Sequence, residues 1–279
     1  WARKQPYPPL ATILAAAVLR DKGYTVELFD TMFAVSPEEV IPKIEQFKPD
    51  YFVIYDDGFN YLTKMCLTNM REAAWKMSEY AKQRGCKVMV CSSDSTDHYQ
   101  KYLDHHADVI ICGEGEVTLL ELLSHDWKSS QPSFRNINGT AFLQDGQAVK
   151  TTARPPLKNI SELPLPAWDL IDMDSYRNIW LSRWNYFSLN IATTRGCPYK
   201  CNWCAKPIYG NNYNMRSPEH VVQELKLLIH QHKADHIWFC DDIFGLRRNW
   251  VIEFADLVKK EKLKFKYKIQ SRADLLVQE

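Results

Sequence analysis

The stretch Y-F-S-L-N-I-A-T-T-R-G-C-P-Y-K-C-N-W-C, residues 186–204, decides how this chain is read. Tyr186–Thr193 reads as a strand. Directly after it, Thr194-Arg195-Gly196 leads into Cys197, Cys201 and Cys204, spaced C-x3-C-x2-C. Three thiolates on one strand-end loop can hold three corners of an iron–sulfur cube, which leaves the fourth iron to a non-protein ligand. Zinc is the rival, since it also takes thiolates. A structural zinc site wants four ligands, usually as two separated pairs, and no second pair lies nearby. His220 is the nearest histidine. The blandest alternative is three unrelated buried cysteines, which their crowding on one loop disfavours.

Outward from this loop, strands and helices alternate. Ser217-Pro218-Glu219-His220 opens a helix running to about His232. Ala234–Cys240 is a strand ending in Asp241-Asp242, Arg248–Lys260 a helix and Phe265–Gln270 a strand. Upstream, Pro155-Pro156 and Leu163-Pro164-Leu165-Pro166 favour extended backbone and mark a domain boundary. Thr140–Leu143, Asp145-Gly146 and Ala148–Thr151 read as a hairpin with a D-G turn. Farther upstream come a helix over Leu10–Lys22, a strand over Tyr24–Asp30 and a helix from Ser36-Pro37-Glu38-Glu39 to about Lys48. Then follow strand Asp50–Tyr55, helix Asn60–Arg84, strands Cys86–Cys91 and Asp108–Cys112, and helix Glu116–Ser124. This order implies a parallel sheet with ligand loops at the carboxyl ends of its strands. A strand before Leu10 is expected and missing. With Trp1 in place of Met and an abrupt end after Leu275-Leu276-Val277-Gln278-Glu279, the chain reads as a fragment.

Composition bounds the rest. The chain has 279 residues, enough for two domains. It is 46% apolar and 25% charged, so it is not disordered as a whole. Its net charge of +1 disfavours a protein that holds nucleic acid mainly by charge. The Lys259–Lys268 run reads as a solvated helix end and edge strand. Apolar runs such as Leu10–Leu19 fall short of the roughly 20 residues of a membrane span. No signal-peptide pattern opens the sequence. The eight cysteines lack the spacing of a disulfide framework, which points to a reducing, cytoplasmic setting.

With Trp203 as the aromatic of C-x3-C-x-aromatic-C after a strand, the segment resembles the radical S-adenosylmethionine (SAM) superfamily. The resemblance implies that Cys197, Cys201 and Cys204 hold a [4Fe–4S] cluster whose open iron chelates SAM. It also implies reductive cleavage of SAM to a 5′-deoxyadenosyl radical. Family members contact the SAM amino group from the end of the second strand, often through Gly-Gly-Glu. Here Cys240-Asp241-Asp242-Ile243-Phe244 stands instead, a D-D-x-F variant similar to that of cobalamin-binding members. Asp241 and Asp242 are thus SAM candidates, and a helix N-cap by Asp242 is the alternative, which could hold as well. Gln270 and Arg272 close the third strand. Arg272 could meet a SAM carboxylate or ribose, or form a surface ion pair.

The first half resembles the cobalamin (B12)-binding domain that precedes the barrel in one radical SAM class. The resemblance rests on Pro8-Pro9 with the following helix, on Cys112-Gly113-Glu114-Gly115-Glu116 before an apolar helix, and on Leu163-Pro164-Leu165-Pro166-Ala167-Trp168-Asp169-Leu170. It implies cobalamin contacts from Asp57, Gly58 and Phe59, from Ser92 and Ser93, and from Gly113, Glu114, Gly115 and Glu116. Generic turn chemistry is the alternative for all of these loops. Asp104-His105-His106 carries Val109 where D-x-H-x-x-G needs glycine, so no histidine lower ligand is expected there.

The expected architecture is α/β. A flavodoxin-like, Rossmann-type cobalamin domain (residues 1–128, first strand missing) comes first. A hairpin and proline-rich connector follows (129–184), then the first part of a radical SAM partial (β/α)6 barrel (185–279). The expected activity is methyl transfer to an unactivated carbon or phosphorus. The alternatives are a cyclase or ring-rearranging enzyme of tetrapyrrole type, and a non-catalytic corrinoid or iron–sulfur protein. The resemblance also implies a small-molecule or peptide substrate and an electron donor such as flavodoxin or ferredoxin.

Overall fold

A computed structural model describes residues 5–59, 67–127, 134–202, 204 and 208–275. The chain forms two compact units. One is Ala11–Pro156, and the other runs from Leu157 onward and includes the first residues through Leu10.

In the Ala11–Pro156 unit, β1 (Tyr51–Tyr55), β2 (Lys87–Cys91) and β3 (Val109–Ile111) pair in parallel, Tyr51 opposite Lys87 and Met89 opposite Val109. The helices are α1 (Leu10–Asp21), α2 (Val40–Phe47), α3 (Leu67–Gln83), α4 (Ser93–Asp97), α5 (Tyr99–Leu103) and α6 (Glu116–Leu123). Strand alternation sorts the core onto two faces. Val88, Val90 and Ile110 pack with Val40, Ile44, Met77, Ala81 and Leu103 from α2, α3 and α5. Met89, Cys91, Val109 and Ile111 pack with Ala15, Leu19, Leu119 and Leu122 from α1 and α6. A parallel sheet covered on both faces needs such near-continuous apolar strands.

The hairpin forms β4 (Thr140–Gln144) and β5 (Gln147–Lys150). It joins this sheet rather than a separate connector: β4 runs antiparallel to β3, with Ile110 opposite Ala141. The expected strand Tyr24–Asp30 is not formed. Its side chains do alternate, Tyr24 and Val26 against one core and Phe29 against the other. The period-2 pattern reports alternating burial, which side-chain packing satisfies without ladder hydrogen bonds.

In the second unit, β6 (Ser188–Ile191), β9 (His236–Phe239) and β10 (Lys266–Lys268) form a three-stranded parallel sheet in sequential order. Ser188 lies opposite His236, and His236 opposite Lys266. Between β6 and β9 lie β7 (Thr194–Arg195), β8 (Asn214–Met215) and α8 (Pro218–Lys226), the helix running on as a π turn through Gln231. Here α9 is Arg248–Lys260. The lysine-rich run ends in β10, an exposed edge strand. A helix absent from the sequence reading, α7 (Met173–Trp184), starts where Asp172 Oδ1 accepts from Ser175 N at 3.3 Å. Its Tyr176 and Trp180, one turn apart, are buried. Residues before Leu10 pack onto this unit. Tyr7 OH lies 3.0 Å from Ser188 Oγ, and Trp180 Nε1 donates to Pro6 O at 2.7 Å. No helix among the described residues is long and apolar enough to cross a membrane.

Candidate functional site

The cysteine loop leaves the carboxyl end of β6 and returns through β8. Its two flanks pair antiparallel, Thr194 opposite Met215 and Arg195 opposite Asn214. Gly196 sits at φ +80, and a Cβ there would lie 2.3 Å from the Asn212 carbonyl oxygen. Only glycine fits both the left-handed backbone and that approach. Cys197 is half-buried, Cys201 and Cys204 are exposed, and none of the three is in a disulfide. Buried scaffold below and exposed thiols above is the arrangement of a donor set facing a ligand. Among the described residues, no three His, Cys, Asp or Glu side chains close around one point as a single metal ion requires. A [4Fe–4S] cube asks for something else, one thiolate on each of several irons, and three free cysteines on one loop, two exposed and one half-buried, fit that demand.

The end of β9 supports this loop. Asp241 is 1% exposed. Its Oδ1 accepts from Thr193 N at 2.7 Å and Thr194 N at 2.8 Å, and its Oδ2 from Thr193 Oγ1 at 2.6 Å. Burial pushes its carboxyl up to about 6, although those hydrogen bonds favour the charged form. Of the two acidic SAM candidates, Asp241 therefore faces the β6 terminus, whereas Asp242 is exposed to solvent. Phe244, the aromatic of D-D-x-F, packs on Phe239 and Trp250.

After β10, the Gln270 carbonyl accepts from Phe244 N at 2.7 Å, and Ser271 Oγ donates to Phe244 O at 2.8 Å. The third strand end is thereby stitched to the second. The Arg272 guanidinium lies 4.2 Å from the centre of the Tyr199 ring inside the cysteine loop. It also forks onto Asp274 at 2.9 and 3.1 Å, so the surface ion pair and the approach to the loop coexist. Three strand ends thus converge on the cysteines. Trp203 lies outside the described residues.

Two contributors escaped the sequence reading. Burial, with Asp241 and Cys197 nearby, pushes the Tyr213 phenol up to about 12. Arg216, 9% exposed, donates from Nη1 to Ala192 O at 2.9 Å and pairs with Glu224 Oε2 at 2.5 Å. The available signal was a lone arginine just before the Ser217 helix cap.

In the Ala11–Pro156 unit, the expected cobalamin loops follow the carboxyl ends of the parallel strands β1, β2 and β3. Asp57 is 4% exposed, and its Oδ1 accepts from Ala11 N at 3.1 Å and Phe59 N at 3.2 Å. It therefore ties the β1 loop, with Gly58 and the buried Phe59, to the start of α1. Asn60 lies outside the described residues. Ser92 caps α4, its Oγ accepting from Ser95 N at 2.8 Å, with Ser93 buried beside it. Asp94, next in line, is gripped by Arg71 and by Tyr102 OH at 2.7 Å, which holds its carboxyl below the usual range despite desolvation. Glu114 and Glu116 are buried. The two glycines of this turn differ. Nothing lies within 4 Å of a Cβ built on Gly113 (φ +84), so its backbone is open to a ligand. A Cβ on Gly115 would meet Cys91 Sγ at 2.7 Å and Tyr55 OH at 2.8 Å. That glycine is needed for packing. Burial, with Glu116 and Asp56 nearby, pushes the Cys91 thiol well up, so it is inert as a nucleophile.

Known proteins resemble this chain over most of its length. Residues 191–277 match the radical SAM superfamily. The uncharacterized methyltransferase PH0819 of Pyrococcus horikoshii is 26% identical over 273 residues, covering 96% of this chain and 56% of that protein. The anaerobic magnesium-protoporphyrin IX monomethyl ester cyclase of Rubrivivax gelatinosus is 28% identical over 264 residues, covering 91% and 45%. The chain therefore spans about half the length of these curated relatives. The solved structure of the cobalamin-dependent SAM radical enzyme OxsB with aqua-cobalamin shares the fold. Its TM-score is 0.75 at 20% identity, over 96% of this chain and 37% of that one. The cysteine loop stands near the start of the matched stretch, and residues 191–277 are thereby identified as a radical SAM domain.

Proposed function

We propose that the chain is part of a cobalamin-dependent radical SAM methyltransferase. One observation carries this reading: three free cysteines, two of them exposed, stand on a loop whose base is clamped by buried polar groups. Cys197, Cys201 and Cys204 hold three irons of a [4Fe–4S] cluster, leaving the fourth to SAM. Exposed Asp242 would meet the SAM ammonium, and Arg272 would meet its carboxylate or ribose from the third strand end. Asp241, Gln270 and Ser271 hold those strand ends in place. When bound, cluster and SAM together supply a carbon-centred radical and cobalamin carries the methyl group.

The Ala11–Pro156 unit is the flavodoxin-like cobalamin carrier in this reading. The open backbone at Gly113 gives a flat macrocycle room to approach. Asp57 and Ser92, committed to capping, shape the loops around it. An external reductant of flavodoxin or ferredoxin type serves the cluster, in a cytoplasmic setting. The substrate is a small molecule or peptide that accepts a methyl group at carbon or phosphorus. The relationship to the Rubrivivax gelatinosus cyclase favours a second reading, a cyclase or ring-rearranging reaction built on the same radical.

Anaerobic reconstitution with iron, sulfide and aquacobalamin, followed by SAM and dithionite, tests the proposal. Release of both 5′-deoxyadenosine and S-adenosylhomocysteine is the expected outcome. 5′-Deoxyadenosine alone favours the second reading. A protein that retains only zinc refutes both.

A further inference from the structure

Trp168 lies in the L-P-L-P-A-W-D-L stretch, and the functional reading gives it no task. It is 2% exposed, and its indole Nε1 donates to Glu224 Oε1 at 3.0 Å. Glu224, on α8, is fully buried, and its other oxygen pairs with Arg216 Nη1 at 2.5 Å. Arg216 follows β8 directly and reaches across to the opposite flank of the cysteine loop. Its backbone N donates to Thr193 O at 2.9 Å, and its Nη1 to Ala192 O at 2.9 Å. Its own carbonyl accepts from Trp250 Nε1 at 2.7 Å. His220 Nδ1 faces Arg216 Nε at 3.3 Å, and burial beside that guanidinium pushes the imidazole down to about 4. The imidazole is thus neutral and able to accept. A second tether runs from the same stretch, where Ser161 Oγ accepts from Ser217 N at 2.7 Å.

We propose that Trp168, Glu224 and Arg216 form a positioning relay that fixes the base of the cysteine loop, so that retention of the cluster depends on a tryptophan in the proline-rich stretch. A buried carboxylate is stable only when its charge is paired and both oxygens are hydrogen-bonded. Glu224 meets that condition with two partners. One partner, Arg216, closes the loop's two flanks together. Removing the indole N–H leaves one oxygen of Glu224 unsatisfied in an apolar setting, and the pair must shift to find another donor. Any shift of Arg216 moves Ala192 and Thr193, which lead directly into β7 and Gly196. Trp168 acts through other residues and touches no reacting atom.

This inference rests on the proposed function, and one experiment separates the two. The whole chain and its Trp168→Phe, Glu224→Gln and doubly substituted forms are reconstituted anaerobically. Cluster loss to an iron chelator is timed, and the reduced cluster's EPR spectrum is recorded with and without SAM. Trp168→Phe is expected to release iron about tenfold faster, the ratio implied by losing one hydrogen bond to a charged group. It should also broaden the EPR signal. The double variant should be no faster than Glu224→Gln alone, since both changes break one relay. Trp184→Phe is the control, an aromatic of α7 that packs on Trp180 at 5.0 Å and has no part in the relay. The inference is overturned if Trp168→Phe retains iron within about twofold of the unsubstituted chain, or matches Trp184→Phe, because no specific coupling then remains. An unsubstituted chain that takes up no cluster overturns the functional reading and the relay together. Should Glu224→Gln not fold, the Trp168→Phe against Trp184→Phe contrast still decides.

Discussion

The two sets of strand-end loops spend their polar groups in opposite ways. In the Ala11–Pro156 unit, Asp57 and Ser92 are turned inward, capping helices and tying turns, and the space beside Gly115 is filled by Tyr55 and Cys91. In the second unit, Asp241 and Arg216 are the inward groups, and of the cysteines they support Cys201 and Cys204 are exposed and Cys197 is half-buried. Loop residues that look like ligands divide into those that build the loop and those the loop displays. Burial and hydrogen-bond partners tell them apart where residue type does not.

The change that breaks this comparison most severely is Cys201→Ala. It should abolish cluster uptake, read as loss of the visible charge-transfer absorption. Aquacobalamin binding by the Ala11–Pro156 unit should persist, because that unit has its own core. Loss of both would mean that the two sets of loops are not independent.

Gly196→Ala comes next. It should cost more than about 2 kcal/mol in denaturant unfolding, the left-handed penalty plus a clash with backbone that cannot swing aside. Cluster uptake should fall with it. A Gly196→Ala variant that reconstitutes normally would contradict the geometry of the loop entrance.

The glycine pair sharpens the contrast inside the first unit. Gly115→Ala should destabilise by about 1–3 kcal/mol through overpacking against Cys91 and Tyr55. Gly113→Ala should cost only about 1 kcal/mol, from its backbone alone. Gly113→Ala should nonetheless weaken aquacobalamin binding more, measured by titration of the corrin spectrum. Equal effects on binding would remove Gly113 from the displayed class.

Asp241→Asn should have the smallest effect at neutral pH, within about 1 kcal/mol of the unsubstituted chain. The amide oxygen can keep both backbone N–H donors, and its NH2 can donate to Thr193 Oγ1. The pH profile should change. The folded carboxyl, at about 6, lies above its ordinary value of 3.8, so the folded state binds this proton more tightly. Its contribution is full below about pH 3.8 and is lost as pH rises through 6. Thermal unfolding of the Asn variant should lack that slope.

Much of this was legible in the sequence, for identifiable reasons. The C-x3-C-x2-C loop was readable because thiolate spacing has few structural substitutes. The β1, β2 and β3 strands were readable as apolar runs covered on both faces. Segment 24–30 misled because burial alternation does not require ladder bonds. Helix α7 was hidden by the proline-rich sequence before it, although Asp172 and Ser175 carried its cap. Asp241 and Asp242 are the same residue type side by side, and only the fold separates clamp from display. The partnership of Trp168, Glu224 and Arg216 joins residues up to 56 positions apart, a distance no local pattern spans.

EPR of the anaerobically reduced, iron-loaded chain titrated with SAM tests most sharply whether Cys197, Cys201 and Cys204 hold a cluster with one open iron. About four irons per chain are expected, with a cluster signal whose g-values move as SAM binds the open iron. A single zinc held by the cysteines, or an iron signal indifferent to SAM, would contradict it.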